Sequence, residues 1–168
     1  MKHCTIAIIM VLFLSNAITL FGFGTIEATV SGGSWDVDID ATDLLPASTA
    51  GANLTTFTES ATNLVDVNIT ITWSAATWYV TVHKVDTTWD PDVRLYAKRT
   101  GNGTGTGTIN DGLNYVLVDD TPTYLFRVTR TRSNVPIELM LDEFSVPLMS
   151  SGVYTTSVVY TITNVDPR

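Results

Sequence analysis

The chain has 168 residues, with 17 acidic side chains against nine basic ones and a formal net charge of −8 at pH 7. A surface of that sign repels nucleic-acid phosphates, so nucleic acid is excluded as a partner. The single cysteine, Cys4, excludes a disulfide framework and a cysteine-based zinc site, because both need several cysteines.

The first 28 residues have the composition of a secretory signal peptide. Lys2 and His3 precede an apolar run at residues 6–14, which is the typical order of a leader. Cleavage can follow Ala17 or Ala28, and we favour Ala28 because that cut also removes the apolar residues 18–24. A retained membrane anchor is the alternative, since residues 4–24 lack formal charge and are long enough to span a bilayer.

The remaining residues, 29–168, have the length of one ordinary domain. We therefore predict a leader over residues 1–28 followed by a single folded domain. The expected location is outside the cell or on its surface.

The first strand signal of this domain is strict alternation. Trp35, Val37 and Ile39 alternate with acidic residues, which places an apolar face opposite a charged one, as in a half-buried strand. Residues 44–60, rich in small residues, predict a long connection.

Alternation returns in the next two segments, first at Val65, Val67, Ile69, Ile71 and Trp73, and then at Trp78, Val80 and Val82. Further strands are predicted at residues 93–98, 115–118, 124–129, 135–141 and 153–163, each flanked by turn-forming residues. No amphipathic helix of useful length occurs. The pattern predicts an all-β, antiparallel immunoglobulin-like β-sandwich of about seven or eight strands, with a jelly roll or small barrel as alternatives.

Residues 99–108 form a run rich in glycine and threonine. We interpret it as a mobile loop or hairpin tip. Phosphate binding is rejected, because a nucleotide-binding glycine loop leads into a helix and nothing after Thr108 resembles one.

Acidic residues near two predicted turns suggest calcium only weakly. The series Asp36, Asp38, Asp40 and Asp43 lacks the glycine and the closing glutamate of a calcium loop. Asp86, Asp90 and Asp92 are retained as weak calcium candidates. Apart from them we predict no metal and no cofactor.

No constellation of residues indicates catalysis. His83 is the only histidine after the leader, and no Gly-x-Ser-x-Gly motif accompanies it. Paired carboxylates beside the aromatic residues Trp73, Trp78 and Trp89 would suit a glycosidase, but aromatic residues in strands more often pack in a core. We predict that the protein is not an enzyme.

Three sequons, at Asn53, Asn68 and Asn102, are possible N-glycosylation sites. Asn102 is the most accessible by prediction because it lies in the glycine-rich run. Asn68 falls inside a predicted strand, on its polar face.

The C-terminal strands carry a resemblance. Phe126-Arg127-Val128, residues 135–139, the Gly-x-Tyr turn at Gly152 and the Tyr-Thr-x-x-Val-x-Tyr-Thr strand from Tyr154 together resemble the end of spore-coat-protein-U-like and pilin-like secreted proteins. The resemblance implies an immunoglobulin-like sandwich assembled outside the cell, often by one subunit's strand completing its neighbour's sheet. The chain departs from those families in lacking their paired cysteines.

Edge strands give this implication a physical basis, because their unpaired N–H and C=O groups accept another strand. We predict Trp35, Val37 and Ile39 as the assembly strand, with residues 29–33 as a flexible hinge; the alternative is pairing of this strand within its own sheet. The expected function is a structural subunit of an extracellular fibre, pilus or coat that self-assembles into a homopolymer. A monomeric surface adhesin or carbohydrate-binding module, in contact with cell-surface glycans through exposed tryptophans, is the alternative.

Overall fold

The computed structural model describes residues 4–8, 26–39, 59–72, 76–142 and 152–168. Every regular element within these ranges is a strand. Across the same ranges, no helix has the length and apolar character needed to cross a membrane. The predicted connection at residues 44–60 lies outside the described part of the chain, apart from its last two residues, which begin a strand.

The strands in chain order are β1 (Cys4–Ile8), β2 (Ile26–Gly32), β3 (Trp35–Ile39), β4 (Glu59–Ile71), β5 (Thr77–Thr88), β6 (Arg94–Arg99), β7 (Thr104–Gly105), β8 (Ile109–Asn110), β9 (Val116–Leu117), β10 (Thr123–Thr129), β11 (Arg132–Asp142) and β12 (Val153–Thr163).

These strands form two sheets, consistent with a β-sandwich. The first sheet has the order β3-β1-β12-β5-β10-β8, and the second has the order β2-β4-β11-β6-β9, with β7 beside β11. All neighbouring pairs are antiparallel except β1 and β12, which run parallel. The predicted all-β fold of antiparallel sheets is confirmed.

A continuous apolar core lies between the sheets. Alternate residues of the long strands β4 and β11 supply one half, among them Val67, Ile69 and Ile137, and β5, β10 and β12 supply the other. The alternation breaks in β10, where a bulge between Tyr124 and Phe126 allows both Leu125 and Phe126 to be buried. Period-two patterning therefore identifies the core face everywhere except at such bulges.

The predicted strands agree with the observed ones in position more closely than in extent. β12 has the predicted bounds, whereas β4, β5 and β11 are longer than predicted. Strand β1 and the first three residues of β2 fall within the predicted leader, so the boundary at residue 28 divides β2. Ala28 itself is buried and is the register partner of Ile69.

The glycine-rich run is not a hairpin tip. Its short strand β7 lies along β11, and β8, which directly follows the run, lies along β10. A β-carbon on Gly103, Gly105 or Gly107 would come within 2.3 Å, 2.3 Å and 1.4 Å of the carbonyl oxygens of Ser133, Thr131 and Thr129. The repeated glycines are required because the run packs directly against the backbone of the β10–β11 connection.

Arg99, at the end of β6, holds the start of this run. Its buried guanidinium donates to the carbonyl oxygens of Asp111 and Gly101, the latter at 3.2 Å, and to the Asn102 side chain at 2.5 Å. Burial lowers the pKa of Arg99, against a smaller opposing effect of Asp111. A buried cation is tolerated here because its donors are satisfied by oxygens of the loop.

β12 carries a buried polar atom without a partner. Tyr160 is almost fully buried, and its hydroxyl has no hydrogen-bond partner among the described residues. Burial alone raises the pKa of this phenol above its ordinary value of 10.0. The hydroxyl therefore costs stability in the neutral form and costs more when ionised.

Gly107→Ala is expected to lower the free energy of unfolding by about 1–3 kcal/mol, because the new methyl group overlaps a backbone carbonyl that cannot move aside. The matched control is Gly33→Ala, where no atom lies within 4 Å of the added carbon. Urea denaturation of the purified domain measures both. Equal stability of the two variants would contradict the packed position of the run.

Tyr160→Phe is expected to raise the free energy of unfolding by about 1 kcal/mol at neutral pH, because it removes an unsatisfied buried hydroxyl. Since the folded-state pKa is raised, Tyr160 contributes no pH dependence below its unfolded pKa of 10.0, and its stability contribution falls as pH rises above that value. The variant should therefore lose less stability than the parent in alkaline solution.

The control for this substitution is Tyr124→Phe, since the Tyr124 hydroxyl donates to Asp111 at 2.5 Å. Its loss should destabilise by about 0.5–1.5 kcal/mol. Thermal melts at neutral pH separate the two variants, and a Tyr160→Phe protein less stable than the parent at that pH would disprove the assignment.

Candidate functional site

The predicted assembly strand is β3, an edge strand of the first sheet. Trp35 and Val37 point into the core and are buried, whereas Asp36 and Asp38 are exposed. Ile39 ends the strand, but its side chain lies outside the description. The alternation predicted from the sequence thus places an apolar pair inward at the very edge of the sandwich.

The link between β2 and β3 is a short exposed turn. Residues 31–34 are all exposed, and Gly33 has open space where a side chain would stand. Gly32 belongs to β2 and packs tightly, since a β-carbon there would lie 2.4 Å from the Leu64 carbonyl oxygen. A change in the direction of β3 can therefore occur at Gly33 while β2 stays paired with β4.

Among the described strands, β3 pairs with β1 and with no other strand. The register joins Trp35 to Ile8, Val37 to Ile6 and Ile39 to Cys4. β1 in turn pairs in parallel with the first residues of β12, Thr5 with Val153 through Ile8 with Thr156. The attachment of β3 to its sheet thus depends on residues of the predicted leader.

The β12 edge on that side is longer than the strand that covers it. β1 pairs with residues 153–156, whereas no described strand pairs with residues 157–163 on the same side. On its opposite side β12 pairs with β5 through nearly its whole length. Thr156, buried, fixes this pairing with a hydroxyl 2.7 Å from the Asp86 carboxylate and 3.2 Å from the Val85 carbonyl.

The weak calcium candidates do not come together as a metal site. Asp86 pairs with Lys84 and Thr156, while the Asp90 carboxylate accepts the Asp92 backbone N–H at 3.0 Å, as in a simple turn. Within the described ranges, no group of at least three His, Cys, Asp or Glu residues could hold a metal ion. The carboxylates of Asp86 and Asp90 have structural partners instead.

The two described tryptophans of the predicted set are half-buried against the core. Trp89 is half-buried against the core, its indole N–H donates to the Val93 carbonyl at 3.0 Å, and Lys84 lies 5.7 Å from its ring centroid. Trp78 is also half-buried against the core, and Trp73 lies outside the described residues. Trp78 and Trp89 therefore contribute to packing at the margin of the core.

His83 is half-buried on β5, opposite Val159 of β12. Its Nδ1 atom is buried and has no hydrogen-bond partner in the described part of the chain. A catalytic base needs an orienting partner and a nucleophile within reach. The described surroundings of His83 provide neither.

The sequons differ in setting. Asn53 lies outside the described residues. Asn68 is half-buried on the outer face of β4, where its side chain accepts the Asn134 N–H at 2.8 Å and contacts Ser31 at 3.4 Å. Asn102 is exposed, as predicted, although its side-chain oxygen accepts from Arg99. A glycan is sterically easier to place on Asn102 than on Asn68.

A polar cluster on the outer face of the second sheet was not predicted. Glu138, mostly buried, accepts from Tyr115 and lies 3.3 Å from Lys98, whose ammonium also sits 4.2 Å from the Tyr115 ring centroid. Burial and the hydrogen bond to Glu138 raise the pKa of Tyr115. Desolvation acts to lower the pKa of Lys98, but the interactions with Tyr115 and Glu138 together outweigh it, so this pKa is raised. The cluster fastens the loop at Tyr115 over β6 and β11.

A second outer-face cluster ties down the chain end. The Arg168 guanidinium lies 5.0 Å from the Tyr124 ring centroid and 5.7 Å from that of Tyr79, and it donates to Asp166 at 2.7 Å. This pairing lowers the pKa of Asp166 and raises that of Arg168. The carboxylates of both clusters are paired with cations, which suits fastening and not acid–base chemistry.

The residues that sequence reasoning missed are those of the β1–β12 pair. No local signal joins residue 5 to residue 153, because the contact is set by the arrangement of the whole sheet.

Comparison with known proteins gives no family assignment: no family model matches the sequence, and no curated protein matches it significantly.

Proposed function

We propose that the protein is an exported structural subunit of an extracellular fibre, pilus or coat, and that copies assemble by exchange of strand β3. The observation that supports this most directly is the attachment of β3, whose one strand neighbour in the described structure is β1. The similarity of the C-terminal strands to spore-coat-protein-U-like and pilin-like proteins agrees with the proposal.

The energetics favour exchange over simple release. Burial of a large apolar side chain contributes about 1.5–3 kcal/mol, and Trp35 and Val37 are both buried in the core. A β3 strand that left its sandwich would lose this contribution unless it found an equivalent groove. A groove in a second copy can bury the same two side chains, so the lost contribution is recovered between chains.

The geometry favours an open chain of subunits. β3 and the β12 edge are different surfaces, so donation from one copy to the next is heterologous, and heterologous contacts that do not close into a ring extend into filaments. The link at residues 33–34 gives β3 the freedom to leave its own sandwich. Residues 29–32 of β2, which the predicted cleavage leaves in the chain, stay paired with β4 and anchor the donor.

The glycan-binding alternative has less support. It predicts exposed aromatic rings, and the described tryptophans are packed against the core.

Val37→Pro is expected to abolish filaments, because proline removes a backbone N–H and cannot continue a paired strand. The matched control, Asp36→Ser, changes an exposed side chain of the same strand and should assemble normally. Negative-stain electron microscopy and size-exclusion chromatography of the mature chain give the readout.

A folded Val37→Pro chain has a defective donor and an intact acceptor, so adding it to the parent should shorten filaments in proportion to its share of the mixture. This capping effect separates a donor role from simple destabilisation, because an unfolded variant would not cap. Compact monomers of the parent at all concentrations would contradict the fibre function.

A further inference from the structure

We propose that residues 4–8 of the leader are a placeholder strand, which occupies the site beside β12 that β3 of a second copy takes once the leader is removed. This inference rests on the proposed function. It adds the site that accepts β3 and the event that controls assembly. Leader removal is then the event that starts assembly.

The position of β1 is the first argument. β1 lies between β3 and β12 and has register partners on both sides, five residues on β3 and four on β12. A strand with two neighbours directs every backbone N–H and C=O to one of them. Removing β1 therefore leaves two strand edges unpaired at once.

The width of the resulting gap is the second argument. Neighbouring strands lie about 4.7–4.9 Å apart, so two strands flanking a vacant position lie roughly 9.5–10 Å apart. The gap admits one more strand and is too wide for direct pairing of β3 with β12. The structure already shows that an extended segment fits there.

Register supplies the third argument, because it shows why β3 suits this position. Ile6 is the register partner of Val37 and of Tyr154, and Ile8 is the partner of Trp35 and of Thr156. β3 carries apolar residues at the same two-residue spacing, with exposed aspartates between them. A β3 strand placed beside β12 in this register would bring Val37 opposite Tyr154 and Trp35 opposite Thr156.

The test uses a synthetic peptide of residues 2–10 with Cys4→Ser, added to the mature chain during assembly. We expect the peptide to occupy the slot and reduce filament mass to background. The control peptide carries Ala7→Pro in addition, which removes one backbone donor and should leave assembly unchanged. Filament mass is followed by light scattering and electron microscopy.

Disulfide trapping locates the contact. Asp36 and Thr155 are both partners of Ala7 and therefore sit two strand spacings apart, beyond the roughly 7 Å reach of a disulfide. Mixing an Asp36→Cys chain with a Thr155→Cys chain should give a mixed disulfide dimer, because β3 of one copy then lies beside β12 of the other.

The outcomes separate the two proposals. Filaments that form equally well with the peptide and its proline control would overturn the placeholder inference alone. A chain carrying both Asp36→Cys and Thr155→Cys that forms its disulfide within a monomer would show that β3 closes onto its own β12, and would also overturn it. Absence of filaments without any peptide would overturn both the inference and the fibre function.

Discussion

The apolar interface between the two sheets is the interaction on which the other features depend. Inward-facing residues of β4 and β11 on one side meet those of β5, β10 and β12 on the other, and together they form one continuous cluster. The single cysteine, Cys4, cannot form a disulfide within the chain to staple the layers, so burial must supply the stability. The outer-face clusters at Glu138 and Arg168 fasten a loop and the chain end onto sheets that this core already holds.

The close packing of the glycine-rich run follows from the same core. β10 and β11 are neighbours in sequence but belong to different sheets, so the connection between them crosses the end of the sandwich. The run lies against that crossing, where Gly103, Gly105 and Gly107 face backbone carbonyl oxygens. Arg99 donates to the carbonyl oxygen of Asp111. Low-complexity composition, which commonly indicates mobility, here reflects close backbone contact.

Strand β3, at the edge of the first sheet, has one strand neighbour in the described part of the chain. β3 contributes Trp35 and Val37 to the core, yet its backbone reaches the sheet through β1. This attachment is the feature on which the proposed exchange of β3 depends, because removal of β1 would leave β3 without a backbone partner among the described strands.

The sequence by itself determined the fold class, the position of β12 and the inward faces of β3, β4 and β5, because side chains on a strand alternate strictly between buried and exposed sides. It also predicted a strand over Trp35–Ile39, which the structure places at the edge of the first sheet. It did not predict the extra length of β4 and β11, the bulge that buries Leu125 beside Phe126, or the packing that demands glycine at Gly107. Only the tertiary structure decided these features, and with them the pairing of β1 between β3 and β12, because each depends on contacts between residues far apart in the chain, which local composition and periodicity do not encode.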